Sequence, residues 1–335
     1  MFLGFLTTVV VATYISNDAI DGAGITTLSG EIQKIFLNFL QVITLFSAFP
    51  LQWPPELEGL FEIQGAISTV GEHLVNPDCA SHSSSAVELY YAKQMVFALL
   101  PFMLVIFIFI FWFLRGKIKK MSFFAKRAKA DQTTTKDKFV MTLTSIIYLL
   151  YPTLCKNALS LFDCKSIGGV LYLKIAMEEP CYVGRHATML LLLGVSQLFV
   201  YVFGLPFLVL LFLSRNRDKL DSHVVMARYG LFYAAYKPDR YYWETIITVR
   251  KVGIVLLSVF GPTLGPEKQA QVALLIFLIC IVVEIFGDAY KAESTRHKVL
   301  NKLELSSLLV AWWTMWSGLM IYQLDKNDPM GFVLS

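Results

Sequence analysis

Residues 233–262 read YAAYKPDRYYWETIITVRKVGIVLLSVFGP. The right half is apolar enough to enter a bilayer, yet it carries Arg250 and Lys251 side by side. The left half crowds Tyr, Trp, Lys and Arg together, a composition that settles at the headgroup level of a membrane. Pro238 and Asp239 break the stretch into a turn and the start of a helix. A membrane helix entered through an aromatic and basic elbow explains both halves, and the rest of the chain agrees with it.

Of the 335 residues, 56% are apolar and only 16% are charged. Soluble domains carry about 25% charged residues, so the outer surface is expected to face lipid. Windows of about 19 residues select spans at 2–16, 35–51, 93–114, 139–161, 187–213, 243–260, 269–287 and 305–323. The expected fold is an all-α integral membrane protein: one polytopic bundle, residues 1–335, of about eight transmembrane helices. The segment 2–16 is short. It reads as a signal peptide or a truncated membrane helix, and the lack of a basic residue ahead of its apolar run favours the helix. Gly331–Ser335 resembles the opening of a further helix, as expected for a piece of a longer chain.

Charge sets the orientation. The connector 115–138, RGKIKKMSFFAKRAKADQTTTKDK, holds nine basic residues against Asp131 and Asp137. Placing it in the cytoplasm puts 22 of the 29 Lys and Arg residues on that side and the N-terminus outside. The elbow, 215–242, then faces the cytoplasm. Loop 52–91 faces outward without a Lys or Arg but with Glu56, Glu58, Glu62, Glu72 and Asp78. The outer loop 162–186 bears cysteines. With the basic residues confined to connectors, the net charge of +4 gives no reason to expect a nucleic-acid partner.

Cys79, Cys164 and Cys181 fall in the predicted outer loops, where disulfides persist. Three pairings are open, each leaving one cysteine over; proximity favours Cys164–Cys181. Cys280, inside a predicted helix, reads as a packing residue. His73, Asp78, Cys79 and His82 offer metal-ligand chemistry, but their spacing matches no zinc pattern and SHSSS makes a poor cage, so no metal is expected. There is no Gly-rich phosphate loop, no His-Glu-x-x-His pair and no Gly-x-Ser-x-Gly elbow. Neither an enzyme nor a cofactor is indicated.

An ionisable residue inside a span costs about 2.5–3.5 kcal/mol on insertion scales and therefore faces a partner or a wet cavity. At 1.5 Å per residue, Arg250 and Lys251 lie roughly 15 Å, and Glu244 and Glu284 roughly 25 Å, from the Gly261–Lys268 turn. These four form an intramembrane charge cluster in one helical hairpin. Glu284 is within reach of Arg250 or Lys251; the alternative is snorkelling to lipid phosphate. Lys156, past Pro152, reads as a snorkelling residue or part of a pathway. In the elbow, Tyr236, Lys237, Arg240, Tyr241 and Trp243 are expected at the interface, attached to the hairpin so that cytoplasmic motion reaches the bilayer.

RYGLFYAAYKPDRYYWETIITVRK, LNFLQVITLFSAFPLQWPPELEGLF, YPTLCKNALSLFDC and MEEPCYVGRH resemble the C-terminal membrane region of large algal and protist proteins. Those proteins carry cysteine-rich, ephrin-receptor-like ectodomains, and their membrane region is distantly similar to the transient-receptor-potential-like family. The resemblance spans nearly the whole chain and implies a helical bundle. It departs from the channels of that superfamily at Gly261–Lys268, which is too short for a re-entrant pore segment, and no selectivity filter is visible. The expected function is a channel-like or sensory membrane module. The alternative is an anchor holding a large extracellular assembly in a plasma or ciliary membrane. Membrane lipids, a protein partner or a second copy of the chain are the expected contacts. A transporter is disfavoured, because no inverted repeat is visible.

Overall fold

A computed structural model describes residues 28–59, 61, 86–121, 134–290 and 295–327. Six of its helices are long and apolar enough to cross a membrane, and the molecule is a multi-pass membrane protein. This is fewer than the eight spans expected. Segment 2–16 lies outside the described residues, and 35–51 belongs to α1, Leu28–Thr44, whose 17 residues continue into a 3-10 turn, Leu45–Ala48.

Helix α2, Ala86–Met121, is followed by α3, Thr135–Ser160, opened by a capping box. Thr134 Oγ1 accepts the Asp137 N–H at 3.3 Å, and Asp137 Oδ2 accepts the Thr134 N–H at 2.8 Å, satisfying two donors that a helix start leaves free. The cysteine-bearing loop 162–186 departs from the all-α expectation and forms a three-stranded antiparallel sheet: β1 Cys164–Ile167, β2 Val170–Leu173 and β3 Ala176–Pro180. Gly168 and Gly169 make its first turn at φ of +60° and +86°, which glycine adopts without a Cβ penalty. The Cys164–Cys181 disulfide closes the sheet, as proximity predicted; Cys79 lies outside the described residues.

Helix α4, Gly184–Arg215, is composite, with π-helical stretches at Leu190–Val195 and Leu198–Gly204. Tyr151 of α3 donates to Val202 O, within the second of these stretches, at 2.8 Å. The elbow follows, with α5, His223–Tyr229, between 3-10 turns. Helices α6, Trp243–Phe260, and α7, Pro266–Gly287, are antiparallel across a turn ending at Gly265 (φ +87°), with Pro266 at the first helical position. Helix α8, Thr295–Asn327, packs on α7 and α1.

The main core joins α1, α3, α6, α7 and α8 through Ile43, Cys155, Ile254, Phe277 and Met315, all nearly inaccessible. A second core zips α2 to α3 through Phe97, Ile108, Ile146 and Leu154. Phe102, Ile106 and Phe109 of α2, Phe199, Phe203 and Phe207 of α4, and Phe286 of α7 are exposed. So much outward apolar surface suits a lipid-facing exterior.

Candidate functional site: a charge network inside the bundle

Helix α1 turns its polar residues inward. Glu31, Lys34, Asn38 and Gln41 follow a three-four spacing that puts them on one face, and all four are buried. Ile32 and Phe36 point outward instead. A helix that hides its polar side in a bundle and shows apolar residues to lipid must meet complementary groups inside.

Those groups converge on Glu244, 2% exposed in the first turn of α6. Lys34 Nζ sits 2.6 Å from Glu244 Oε2 and donates to Leu231 O at 2.6 Å. The Tyr236 hydroxyl donates to Oε2 at 2.8 Å, and the Tyr148 hydroxyl lies 2.9 Å from Oε1. Tyr148 also touches the side-chain amide of Asn38. One phenol proton cannot serve both oxygens. Asn38 Oδ1 faces the phenol; turning that amide to present Nδ2 would let Tyr148 donate to Glu244 and accept from Asn38. One carboxylate thus ties α1, α3, the elbow and α6 together.

A second pair lies deeper. Arg250 Nη2 meets Glu304 Oε1 of α8 at 2.7 Å, with the two side chains 7% and 0% exposed. Glu284 does not take the role its position in the hairpin predicted. Helix α8 packs on α7 and α1 and brings Glu304 into the layer of Arg250, so the guanidinium bonds across to α8 rather than within the hairpin. Glu284 Oε1 stays buried without a hydrogen bond among the described residues, as do Glu304 Oε2 and Arg250 Nε. Buried carboxylates outnumber the guanidinium they face, a costly arrangement away from water.

Lys251, 2% exposed, has no carboxylate at ion-pair distance among the described residues. Its ammonium stands 4.2 Å from the centroid of the Tyr148 ring. Lys156 is half-buried on α3, two turns beyond Tyr148, and does not join the cluster.

The elbow departs from a purely interfacial belt. Tyr236 and Trp243 are core residues, 1% and 3% exposed. A buried carboxylate gives Tyr236 an acceptor, and Gly287 gives the Trp243 ring a seat: a Cβ there would run into the indole. Lys237, Arg240 and Tyr241 stay at the surface. Lys237 donates its backbone N–H to Ala289 O at 2.8 Å and its ammonium to Asp288 at 2.5 Å, while Arg240 reaches the Tyr242 hydroxyl at 3.0 Å. The Lys237 hydrogen bond holds the Asp288 carboxyl below its ordinary range. Arg228 of α5 pairs with Asp137 at 2.6 Å, joining the elbow to the start of α3. The elbow is therefore fastened to α3, α6 and the α7–α8 connection.

At the opposite end, Cys164, Cys181 and His186 cluster closely enough to suggest ligands. Both thiols are consumed by the disulfide. His186 Nδ1 accepts the Tyr182 N–H at 3.0 Å, which leaves the proton on Nε2 to reach Leu161 O at 3.1 Å. The group is a structural knot: a disulfide offers no thiolate, and both imidazole nitrogens are engaged by the backbone. His73, Asp78 and His82 lie outside the described residues.

Sequence reasoning found Glu244, Arg250, Lys251 and Glu284 but missed Lys34, Asn38, Tyr148 and Glu304. Lys34 and Glu304 sit just outside the apolar windows, where a charge reads as a connector residue. The inward polar face of α1 was the available signal.

Among curated proteins, the chain is similar to cysteine repeat modular protein A of Toxoplasma gondii, with 24% identity over 182 residues. The match covers 51% of this chain and 6% of that protein. No protein-family model matches the chain, and no solved structure matches it.

Proposed function

We propose that this chain is the membrane module of a larger protein, a non-enzymatic polytopic anchor that holds an extracellular cysteine-rich assembly in a plasma or ciliary membrane. The observation that carries the reading is the pairing of buried charges between helices. Lys34 with Glu244 and Arg250 with Glu304 bind three helices, α1, α6 and α8, across the bundle interior, the arrangement expected of a fixed scaffold. Similarity to a small part of a cysteine repeat protein supports it from a separate direction. In this reading the 115–138 connector and the elbow face the cytoplasm, and the disulfide-closed sheet faces outward beneath the assembly it holds.

A second reading, a channel-like or sensory module related to the transient-receptor-potential-like family, is favoured by one feature: the elbow is bonded directly to the charged layer through Tyr236 and Leu231. Purified chain in liposomes separates the two. The anchor predicts no ion flux under voltage or stretch, together with carbonate-resistant retention of an ectodomain fused to the chain. A conductance altered by Tyr236→Phe would move the assignment to the sensory module. Protease sites placed in the 115–138 connector and beside Cys181 should be cut from opposite sides of the membrane; cutting from the same side would undo the topology.

A further inference from the structure

A cavity of about 450 Å³ lies between α3, α4, α6 and the elbow, and its two walls differ in chemistry. Helix α6 contributes Glu244, Thr245, Thr248 and Lys251, a polar stripe at helical spacing. Helix α4 contributes Leu205, Leu208, Val209 and Phe212, an apolar wall, and ends at the rim with Arg215 and Asn216. The volume falls within the roughly 300–1,000 Å³ of small-molecule sites. Lys251 lines the cavity, almost wholly withdrawn from solvent and with no carboxylate at bonding distance among the described residues. Glu244 is already engaged by Lys34, Tyr236 and Tyr148. Beside the Tyr148 ring, the ammonium has no counter-charge at bonding distance among the described residues, and an anion entering the cavity would supply one.

We infer that this cavity binds an anionic phospholipid from the leaflet around the elbow, its phosphate-bearing headgroup on the α6 stripe between Arg215 and Lys251 and one acyl chain along α4. Two features of the cavity select this occupant. The cavity is amphipathic along its length, which fits a molecule with one charged and one apolar part. It also opens on a lipid-facing helix, since Phe207 and Leu208 of α4 are exposed on the outside of the bundle. The site would serve an anchor and a sensory module alike, so it stands apart from the proposed function.

The test is native mass spectrometry of the full chain released from micelles holding equal amounts of a phosphatidylglycerol and a phosphatidylcholine with the same acyl chains. The wild-type protein is expected to retain phosphatidylglycerol about tenfold more than phosphatidylcholine. Lys251→Met should abolish that preference, and the melting temperature should change little, because the substitution deletes a buried cation that meets the Tyr148 ring and, among the described residues, no carboxylate. Leu208→Trp, which fills the apolar wall and leaves every charge in place, should reduce retention of both lipids. Equal retention of the two lipids by the wild type would overturn the site, as would an unchanged preference in Lys251→Met. Displacement of the lipid by millimolar inorganic phosphate, with Leu208→Trp having no effect, would overturn the phospholipid in favour of a free anion.

Discussion

At the elbow end of the bundle, Glu244 alone holds α1, α3, α6 and the elbow through buried hydrogen bonds, and Arg250 with Glu304 adds α8. At the other end, a disulfide closes a small sheet over an apolar cluster of Val87, Tyr90, Leu161 and Leu173. The ion pairs there, Lys174 with Asp163 and Arg185 with Glu179, each leave their cation about a third or more exposed. Exposed pairs add at most about 1 kcal/mol each. One end therefore depends on electrostatic complementarity inside low dielectric, the other on a covalent link and apolar burial. The contrast predicts that single substitutions do most harm at the first end and that reduction acts at the second.

The sharpest break comes from unpairing Arg250. Glu304→Gln leaves the guanidinium buried without its counter-charge, and losing one partner of a buried pair costs roughly 3–5 kcal/mol. Thermal unfolding in detergent should show the loss. Replacing both partners, Arg250→Met with Glu304→Leu, should recover most of it, because the desolvation penalty disappears along with the attraction. If the double variant melts as low as the single one, the pair also sets the packing of α8, and the contrast between the two ends becomes sharper still.

The second effect belongs to the sheet. Cys164 and Cys181 are 17 residues apart, and a closed loop of that size is stabilised by about 3 kcal/mol. Cys181→Ser, or reduction of the wild type, should raise hydrogen exchange across β1–β3 while leaving α6 and α8 protected. A loss of protection that reaches the Arg250 layer would show that the two ends are one cooperative unit.

How much of this was legible depended on which signal dominated locally. The long apolar runs that became α2, α3, α4, α6, α7 and α8 stood out, since a lipid-facing helix must be apolar over its full length. The sheet had a local signature as well. Ile167-Gly-Gly-Val170 between short β-rich runs is a hairpin signal, but a hydropathy window reads such a segment only as a gap between spans. The capping box at Thr134 was likewise readable and gave way to the charge of its connector. The pairing of Arg250 was different in kind. From the hairpin alone, Glu284 was as near as any carboxylate, and nothing local to α8 announces that Glu304 enters the same layer. Non-local packing decides among carboxylates that a sequence presents as equals.

The smallest effect tests whether the elbow end extends its electrostatic character to the surface. Asp288 caps α7 in a left-handed conformation (φ 38°), accepts from Asn301 at 2.9 Å and pairs with Lys237. Its carboxyl is held below the ordinary range by the Lys237 hydrogen bond, so the folded state favours the charged form. That contribution is complete above the unfolded value, about 3.9, and is lost as pH falls through the lower folded value. Since the Asp288 side chain is 63% exposed, solvent screening limits it to less than about 1 kcal/mol. Asp288→Asn keeps a residue that tolerates the left-handed cap and an oxygen for Asn301, and removes only the charge. It should lower the melting temperature slightly at neutral pH, with the difference from the wild type vanishing in acid and in molar salt. A difference that persists under both conditions would assign the contact to backbone geometry, and the electrostatic hold would then stop at the buried layer.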